Sequence, residues 1–405
     1  MLDRYKKISV IGLGYIGLPT AALLASKGYI VNGMDVNENA VETINKGEIH
    51  IVEPDLDAYV RSAVANKKLK VYLEVQPGDV YIICVPTPFH DTAEIPTPNV
   101  DYIRAAADSI APHIKDQDIV ILESTSPVGT TDMIREVLNE KGVNTSELYI
   151  AYCPERVLPG KIMTELVDNA RVIGGIDSQS TEVVASFYET FVNGEILKTE
   201  AKTAEMCKLT VNSYRDVNIA FANELSVICD RNGVNVWDLI QLANHHPRVN
   251  VLQPGTGVGG HCIAVDPWFI VSEDPKNSRL IKTARVVNDD KPDWVINKIK
   301  AKADLQKTRK IVCLGLAFKP DIDDLRESPA IKVVDSLLDQ GYEVSCVEPN
   351  INDHNKYRLI DLQEAISQND VIALLVKHKE FTLESVMSEL KEKHVLDFCG
   401  MTWNK

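Results

Sequence analysis

KISVIGLGYIGLPTAALLASKGYIVNGMD, residues 7–35, is the stretch from which the fold follows. An apolar strand, KISVIG, runs straight into Gly12-Leu13-Gly14-Tyr15-Ile16-Gly17, and the helical run LPTAALLASKG begins at once. Strand, GxGxxG and helix in that order form a dinucleotide fingerprint. The glycines allow a tight turn, the approach of a pyrophosphate and close helix–strand packing, while the helix N-terminus favours phosphate charge. A second strand, YIVNGMD, ends at Asp35, about 20 residues beyond the glycines, where a carboxylate can accept hydrogen bonds from both adenosine ribose hydroxyls. No arginine follows Asp35, so NAD is expected rather than NADP.

Outward from this unit the alternation continues. Strands are expected at 79–85, 118–124 and 147–153, with helices near 99–112 and 129–141 between them. That pattern predicts an α/β protein whose N-terminal part is a Rossmann-type, doubly wound parallel sheet. Ligands of such sheets sit beyond the carboxyl ends of the strands, where Thr87 of VPTP and Thr125 of ESTSPVG fall. Ordinary turn chemistry also explains Ser, Thr and Pro at those points. From Lys202 to Asn232 there is no proline or glycine, and apolar residues recur at three and four spacings, which predicts a helix of about 30 residues. Such a helix is too long for one domain; it would be a spine whose spare apolar face can pair with a second subunit. Lys208, Asn212 and Arg215 share one of its faces, a stripe that in most helices is simply the solvated side.

A further helix is expected near 278–304, and the charged run KADLQKTRK (302–310) marks a boundary. A smaller α/β unit follows: strand KIVCLGLAF, a helix from Ser328, then strands YEVSCVE, DVIALLV and HVLDFC. It lacks GxGxxG, so no second dinucleotide is expected, although Lys319 and Arg326 after its first strand suit phosphates.

Composition sets outer limits. A chain of 405 residues at about 150 per domain gives two or three domains. A formal charge of −15 argues against nucleic acid or an anionic membrane as partner, but not against a small anion held by a few local cations. No window approaches the roughly 20 apolar residues of a membrane span, and MLDRYKKISVIG has no secretory pattern, so a cytoplasmic location is expected. The eight cysteines are scattered without CxxC or zinc spacing, so no metal is expected and most are read as buried thiols.

One cysteine stands apart. RVNVLQPGTGVGGHCIAVDPW, residues 248–268, sets Cys262 in a glycine-rich turn with Asp266 just beyond it. Gly255, Gly257, Gly259 and Gly260 would let the backbone approach a ligand and present the thiol at the turn's edge. Taken alone, this is more often a structural turn around a buried thiol. With a dinucleotide fingerprint and Lys208 in the same chain, a thiol beside a nicotinamide suggests oxidation at the aldehyde level.

The runs GLGYIGLPTA, VPTPF, ESTSPVGTT, YCPERVLPGK, AEMCKL, GVGGHC and GLAFKPDIDDLRESPA together resemble the UDP-sugar 6-dehydrogenases, over nearly the whole chain. The resemblance implies an NAD-binding domain (1–199), a central helical dimerisation region carrying the lysine and cysteine (200–305) and a UDP-binding domain (306–405), assembled as a homodimer or higher homo-oligomer. It implies that Gly12, Gly14, Tyr15, Ile16, Gly17, Asp35, Thr87, Thr125 and Arg326 hold NAD. Arg156, Val157, Lys208, Asn212, Arg215, His246, Arg248, Gly259, Phe318 and Lys319 would line the sugar-nucleotide site, with Arg248 able to act across a subunit interface. The implied reaction takes a C6 alcohol to a carboxylate. Lys208, assisted by Asn212 and by Asp266 through water, serves the alcohol oxidation; Cys262 captures the aldehyde and becomes a thioester; Asp266, Thr125 and Glu155 position the hydrolytic water.

Within that family GEIHIVEPDL, NIAFANELS, HHPRVN and GGHCIAVDPWF look most like members acting on UDP-N-acetyl-D-mannosamine, which makes that sugar nucleotide the implied substrate. Pro159 and Val265 stand where UDP-glucose members carry an acid and a lysine, and His246 and His261 are candidates for reading an N-acetyl group. Cys399 replaces a Lys or Arg that many members carry, which puts one nucleotide contact in doubt. UDP-N-acetylglucosamine and UDP-glucose remain alternative substrates. A two-electron dehydrogenase, which needs no thiol, and a non-catalytic NAD or sugar-nucleotide sensor are the rival readings.

Overall fold

The structure, a computed structural model, describes residues 4–90, 95–260, 262–368, 371–393 and 395–403. The chain forms two compact units, Met1–Thr210 and Val211–Lys405, and the division falls inside the long helix Ala201–Asn232.

The first unit is built on β1 (Lys7–Ile11), β2 (Ile30–Met34), β3 (Leu69–Tyr72) and β4 (Val80–Ile83), with a separate small hairpin of β5 (Phe89–His90) and β6 (Thr97–Pro98). Its sheet is completed by β7 (Ile119–Leu122), β8 (Tyr149–Tyr152), β9 (Arg171–Gly175) and β10 (Ile196–Glu200), in the order β10-β9-β8-β7-β4-β1-β2-β3. Helices cover both faces, so the central strands β4 and β7 are apolar throughout rather than alternating. In β4, Val80 and Ile82 enter one core cluster while Tyr81 and Ile83 enter the other. Strand order reverses at β1, between β4 and β2, and the turns after β1, β2, β4 and β7 all open on the same carboxyl edge.

The sheet is not wholly parallel as expected: β8 and β9 pair antiparallel, so β9 and β10 run against the rest. Neither strand is evident in the sequence. RVIGG ends in two glycines that carry no β signal, and they are there for packing. A Cβ on Gly174 would lie 2.4 Å from the Glu200 carbonyl oxygen, and one on Gly175 2.4 Å from the Thr181 nitrogen.

The second unit carries β11 (Lys310–Leu314), β12 (Glu343–Val347), β13 (Val371–Leu374) and β14 (Leu396–Asp397), all parallel in the order β12-β11-β13-β14. Ser328 begins the helix Pro329–Asp339 by accepting the Ala330 amide, with proline at the first helical position.

A buried polar seam joins the long helix to the helix Arg279–Gln306. Arg285 pairs with Asp216 at 2.5 Å, and Asn288 donates to Asp216 at 2.8 Å and accepts from Asn223 at 2.8 Å. Burial pushes the Asp216 carboxyl up to about 6 although Arg285 lies beside it. Asn223 then accepts the Gly255 amide at 2.9 Å, so the seam anchors the start of the cysteine loop.

Candidate functional site

In the first unit the fingerprint glycines divide by role. Gly12 has φ +87°, and a Cβ there would meet the Cys84 carbonyl oxygen at 2.8 Å; a Cβ on Gly17 would lie 1.8 Å from the Gly12 oxygen. Gly14 is exposed with nothing within 4 Å of its Cβ position, which leaves open backbone for a pyrophosphate. Asp35, half-buried at the end of β2, accepts the amides of Leu13 and Asn37, both at 2.9 Å, and so fixes the turn it would serve. Ile16 precedes the helix Gly17–Ser26, and Tyr15 is exposed beside it. Thr87 donates its hydroxyl to the Thr125 carbonyl at 2.8 Å, tying the turn after β4 to the turn after β7. These residues fit a dinucleotide.

The turn after β7 is also tied to the long helix. Glu205, fully buried, accepts the Gly129 amide at 2.6 Å, the Thr131 amide at 2.8 Å and the Thr131 hydroxyl at 2.6 Å. Lys208 follows within the next helical turn. It is 8% exposed, and among the described residues no hydrogen bond or ion pair engages its ammonium. Asn212 lies one turn further along the same helix and is half-buried; Arg215 is exposed.

Glu155 is buried, and both its oxygens are engaged. One accepts the Arg156 amide at 2.8 Å; the other takes the buried Arg171 guanidinium. Burial pulls the Arg171 pKa down, but Glu155 and its neighbours outweigh that and hold it above the usual value. Glu155 is thus held at both oxygens, beside a buried guanidinium. Arg156 donates to the Ala170 carbonyl at 2.6 Å, and Val157 is half-buried next to it. Glu53, in GEIHIVEPDL, holds the far side of this turn by accepting the Gly160 and Ile162 amides at 2.8 Å each.

In the second unit Cys262 is exposed, and its carbonyl accepts the amides of Val265 at 3.1 Å and Asp266 at 2.8 Å, closing the turn into the helix Asp266–Glu273. Asp266, 2% exposed at that helix N-terminus, accepts the Asn212 side-chain amide at 2.5 Å. The terminus favours its negative charge. Thiol, acid and amide are therefore brought to one place by the turn and the long helix.

Two glycines of this loop also make close packing within the protein possible. A Cβ on Gly259 would meet the Glu327 carbonyl oxygen at 2.2 Å, and one on Gly260, at φ +83°, would meet the Phe318 ring at 2.8 Å. They let the cysteine loop pack against the segment after β11, which carries Phe318 and the half-buried Lys319. Arg326 grips Asp324 through two hydrogen bonds of 2.7–2.8 Å. His246 and Arg248 are exposed, and the Arg248 amide donates to the His246 ring at 3.3 Å. Cys399 is half-buried against Asp397, and His261 lies outside the described residues.

Sequence reasoning singled out none of Glu53, Arg171, Glu205 or Asn223. Each is a polar residue with no local signal of its own: Glu53 lies in a loop, Arg171 begins β9, and Glu205 and Asn223 lie in the long helix.

Three domain descriptions of the UDP-glucose/GDP-mannose dehydrogenase family match the chain: the NAD binding domain over residues 6–192, the central domain over 202–290 and the UDP binding domain over 312–404. The UDP-N-acetyl-D-mannosamine dehydrogenase of Campylobacter jejuni is 51% identical over 416 residues, covering 98% of this chain and all of that one. An NDP-N-acetyl-D-galactosaminuronic acid dehydrogenase of Ralstonia nicotianae is also 51% identical, covering 98% and 96%. Among solved structures, the UDP-N-acetyl-mannosamine dehydrogenase Cap5O from S. aureus is similar with a TM-score of 0.89 and 40% identity, covering 98% and 96%.

Proposed function

Since the chain belongs to the UDP-glucose/GDP-mannose dehydrogenase family, we propose that it oxidises UDP-N-acetyl-D-mannosamine at C6 to UDP-N-acetyl-D-mannosaminuronate with NAD, supplying a precursor for surface polysaccharide or glycan. The observation that carries this reading is the exposed Cys262 thiol on a turn whose next residues deliver a buried Asp266 bonded to Asn212. A two-electron dehydrogenase has no use for that thiol.

NAD, held by Gly12, Gly14, Tyr15, Ile16, Gly17, Asp35, Thr87, Thr125 and Arg326, would supply the hydride acceptor for both oxidations. The remaining chemistry belongs to the chain. Lys208 stabilises the alkoxide developing at O6, and the hydroxyl proton leaves through water ordered by Asn212 and Asp266. The Cys262 thiolate adds to the aldehyde carbon, so that the second hydride leaves from a thiohemiacetal and a thioester remains on sulfur. Water then attacks the thioester. The tetrahedral oxyanion again faces Lys208, the attacking water gives its proton to Asp266, and the thiolate departs. Thr125 helps hold that water, together with Glu155, whose carboxylate is fixed in place by Arg171. Arg156, Val157, Arg215, His246, Arg248, Gly259, Phe318 and Lys319 complete the sugar-nucleotide site. The working division is 1–199 for NAD, 200–305 for the central region and 306–405 for UDP.

The test is NADH formed per sugar nucleotide consumed, with the N-acetylated manno, gluco and galacto UDP-sugars and UDP-glucose offered separately. Two equivalents of NADH with the manno sugar and little turnover of the others are expected. A preference for the galacto sugar would move the assignment toward the Ralstonia relative, and one equivalent with free aldehyde would remove Cys262 from the mechanism.

The long helix also supports a homodimer. Val211, Tyr214, Phe221 and Ile228 recur along one side of it, with Tyr214 71% and Phe221 53% exposed. Apolar residues at this spacing form a seam for a second helix. The double variant Tyr214→Asp/Phe221→Asp is expected to elute as a monomer in light-scattering chromatography; an unchanged mass would place the interface elsewhere.

A further inference from the structure

Two buried residues that the reaction scheme leaves idle, Glu348 and His378, are both joined to the segment bearing Phe318 and Lys319. Glu348, 5% exposed just past β12, accepts the Leu316 amide at 2.7 Å and the Ala317 amide at 3.0 Å on one oxygen. The same oxygen meets Nε2 of His378 at 3.1 Å, and the other accepts the Asn350 backbone and side-chain amides, both at 3.2 Å. His378, fully buried, receives the Asp321 backbone amide on Nδ1 at 3.0 Å and the Asn350 side-chain amide at 3.1 Å. A nitrogen accepting an amide proton carries none of its own, so the ring is the neutral Nε2–H tautomer, donating to Glu348.

Residues 316, 317 and 321 are therefore all suspended from one acid–imidazole pair, and Phe318, Lys319 and Pro320 hang between them. Asp321 is held at φ +62°, a conformation that persists in a non-glycine residue when its surroundings over-determine it. Here those surroundings are the His378 ring and the Lys379 amide, which donates to the Asp321 carboxylate at 2.9 Å. Phe381 stands edge-on to the imidazole, with ring centroids 5.5 Å apart. Asp321, His378 and Glu380 lie close enough to suggest a cation site. The commitment of both ring nitrogens argues against it, since a metal ligand must offer a lone pair.

We propose that Glu348 and His378 are positioning residues for the sugar-nucleotide site, setting the 316–321 turn so that Phe318 and Lys319 meet the uridine diphosphate. The inference rests on the functional reading above, in which Phe318 and Lys319 line that site. The turn's position is also felt at the cysteine loop, because the Phe318 ring fills the space beside Gly260.

Binding of UDP alone, measured by calorimetry, separates this role from a general contribution to folding. His378→Ala is expected to weaken UDP about tenfold, equivalent to about 1.4 kcal/mol, and to raise KM for the sugar nucleotide similarly, with KM for NAD unchanged. His378→Phe, which fills the same space without ring nitrogens, is expected to behave alike and carries the test should the alanine variant not fold. In His378→Gln the amide oxygen can accept from Asp321 and the amide nitrogen can donate to Glu348, so UDP affinity should return to within about threefold of the original. UDP binding at full strength in the alanine or phenylalanine variant overturns the inference, as does equal loss of UDP and NAD affinity. Failure of the unaltered protein to bind UDP or turn over any UDP-sugar would instead overturn the functional reading itself.

Discussion

Cys262→Ser is expected to abolish uronate formation, by a factor on the order of 10⁴ or more, while leaving NAD and UDP binding within about twofold. The thiol does two things a hydroxyl cannot do well. At neutral pH a thiol supplies an appreciable fraction of thiolate to capture the aldehyde, whereas a serine hydroxyl has no comparable anion. The thioester it then forms loses a good leaving group on hydrolysis, whereas a serine ester would persist. Rapid-quench mass spectrometry distinguishes the steps. With the unaltered enzyme a mass increment on the peptide carrying Cys262 should appear and decay during turnover; with the serine variant either no adduct or a stable ester is expected. Acid formation by the variant at an undiminished rate would sink covalent capture. The exposed setting of Cys262 fits the role, because a buried thiol such as Cys153, whose pKa burial pushes up to about 12, could not serve as a nucleophile.

How much of this was legible in the sequence depends on whether a residue's meaning is local. The strand, glycine turn and acid from Lys7 to Asp35 fold as read, because each signal sits within a few residues of its consequence. The long helix is equally plain: an uninterrupted run of helix formers becomes Ala201–Asn232. Two kinds of feature stayed hidden. Strands β9 and β10 are short, glycine-bearing or largely exposed, so neither period nor propensity marks them. The buried acids Glu53, Glu205 and Glu348 look in sequence like any surface glutamate; their meaning lies in distant backbone amides, 31 to 109 residues away. The cysteine loop shows the same limit. Its glycines were recognisable as a close approach, but the packing of Gly259 and Gly260 against the Phe318 segment was not, because sequence cannot say which surface a bare backbone approaches.

Lys208→Ala is expected to lower kcat about 10³-fold, the scale seen when one oxyanion donor is lost from a preorganised site, and to slow both oxidations together. An ordinary surface lysine on a long helix contributes almost nothing when removed. Lys208 is not ordinary in this respect: it is 8% exposed, and among the described residues no protein anion engages it. In the proposed mechanism such an ammonium is available to negative charge developing on substrate oxygen. Its placement is correspondingly constrained, with Glu205 one turn before it pinned by the Gly129 and Thr131 amides. Arginine should not rescue, because its planar, bulkier guanidinium cannot present a point charge in the same space. Single-turnover traces provide the decision. If both NADH bursts slow in parallel, Lys208 acts on the two oxyanions; if only thioester hydrolysis slows, the lysine belongs to the water-activating group, and the alkoxide must be stabilised by another residue.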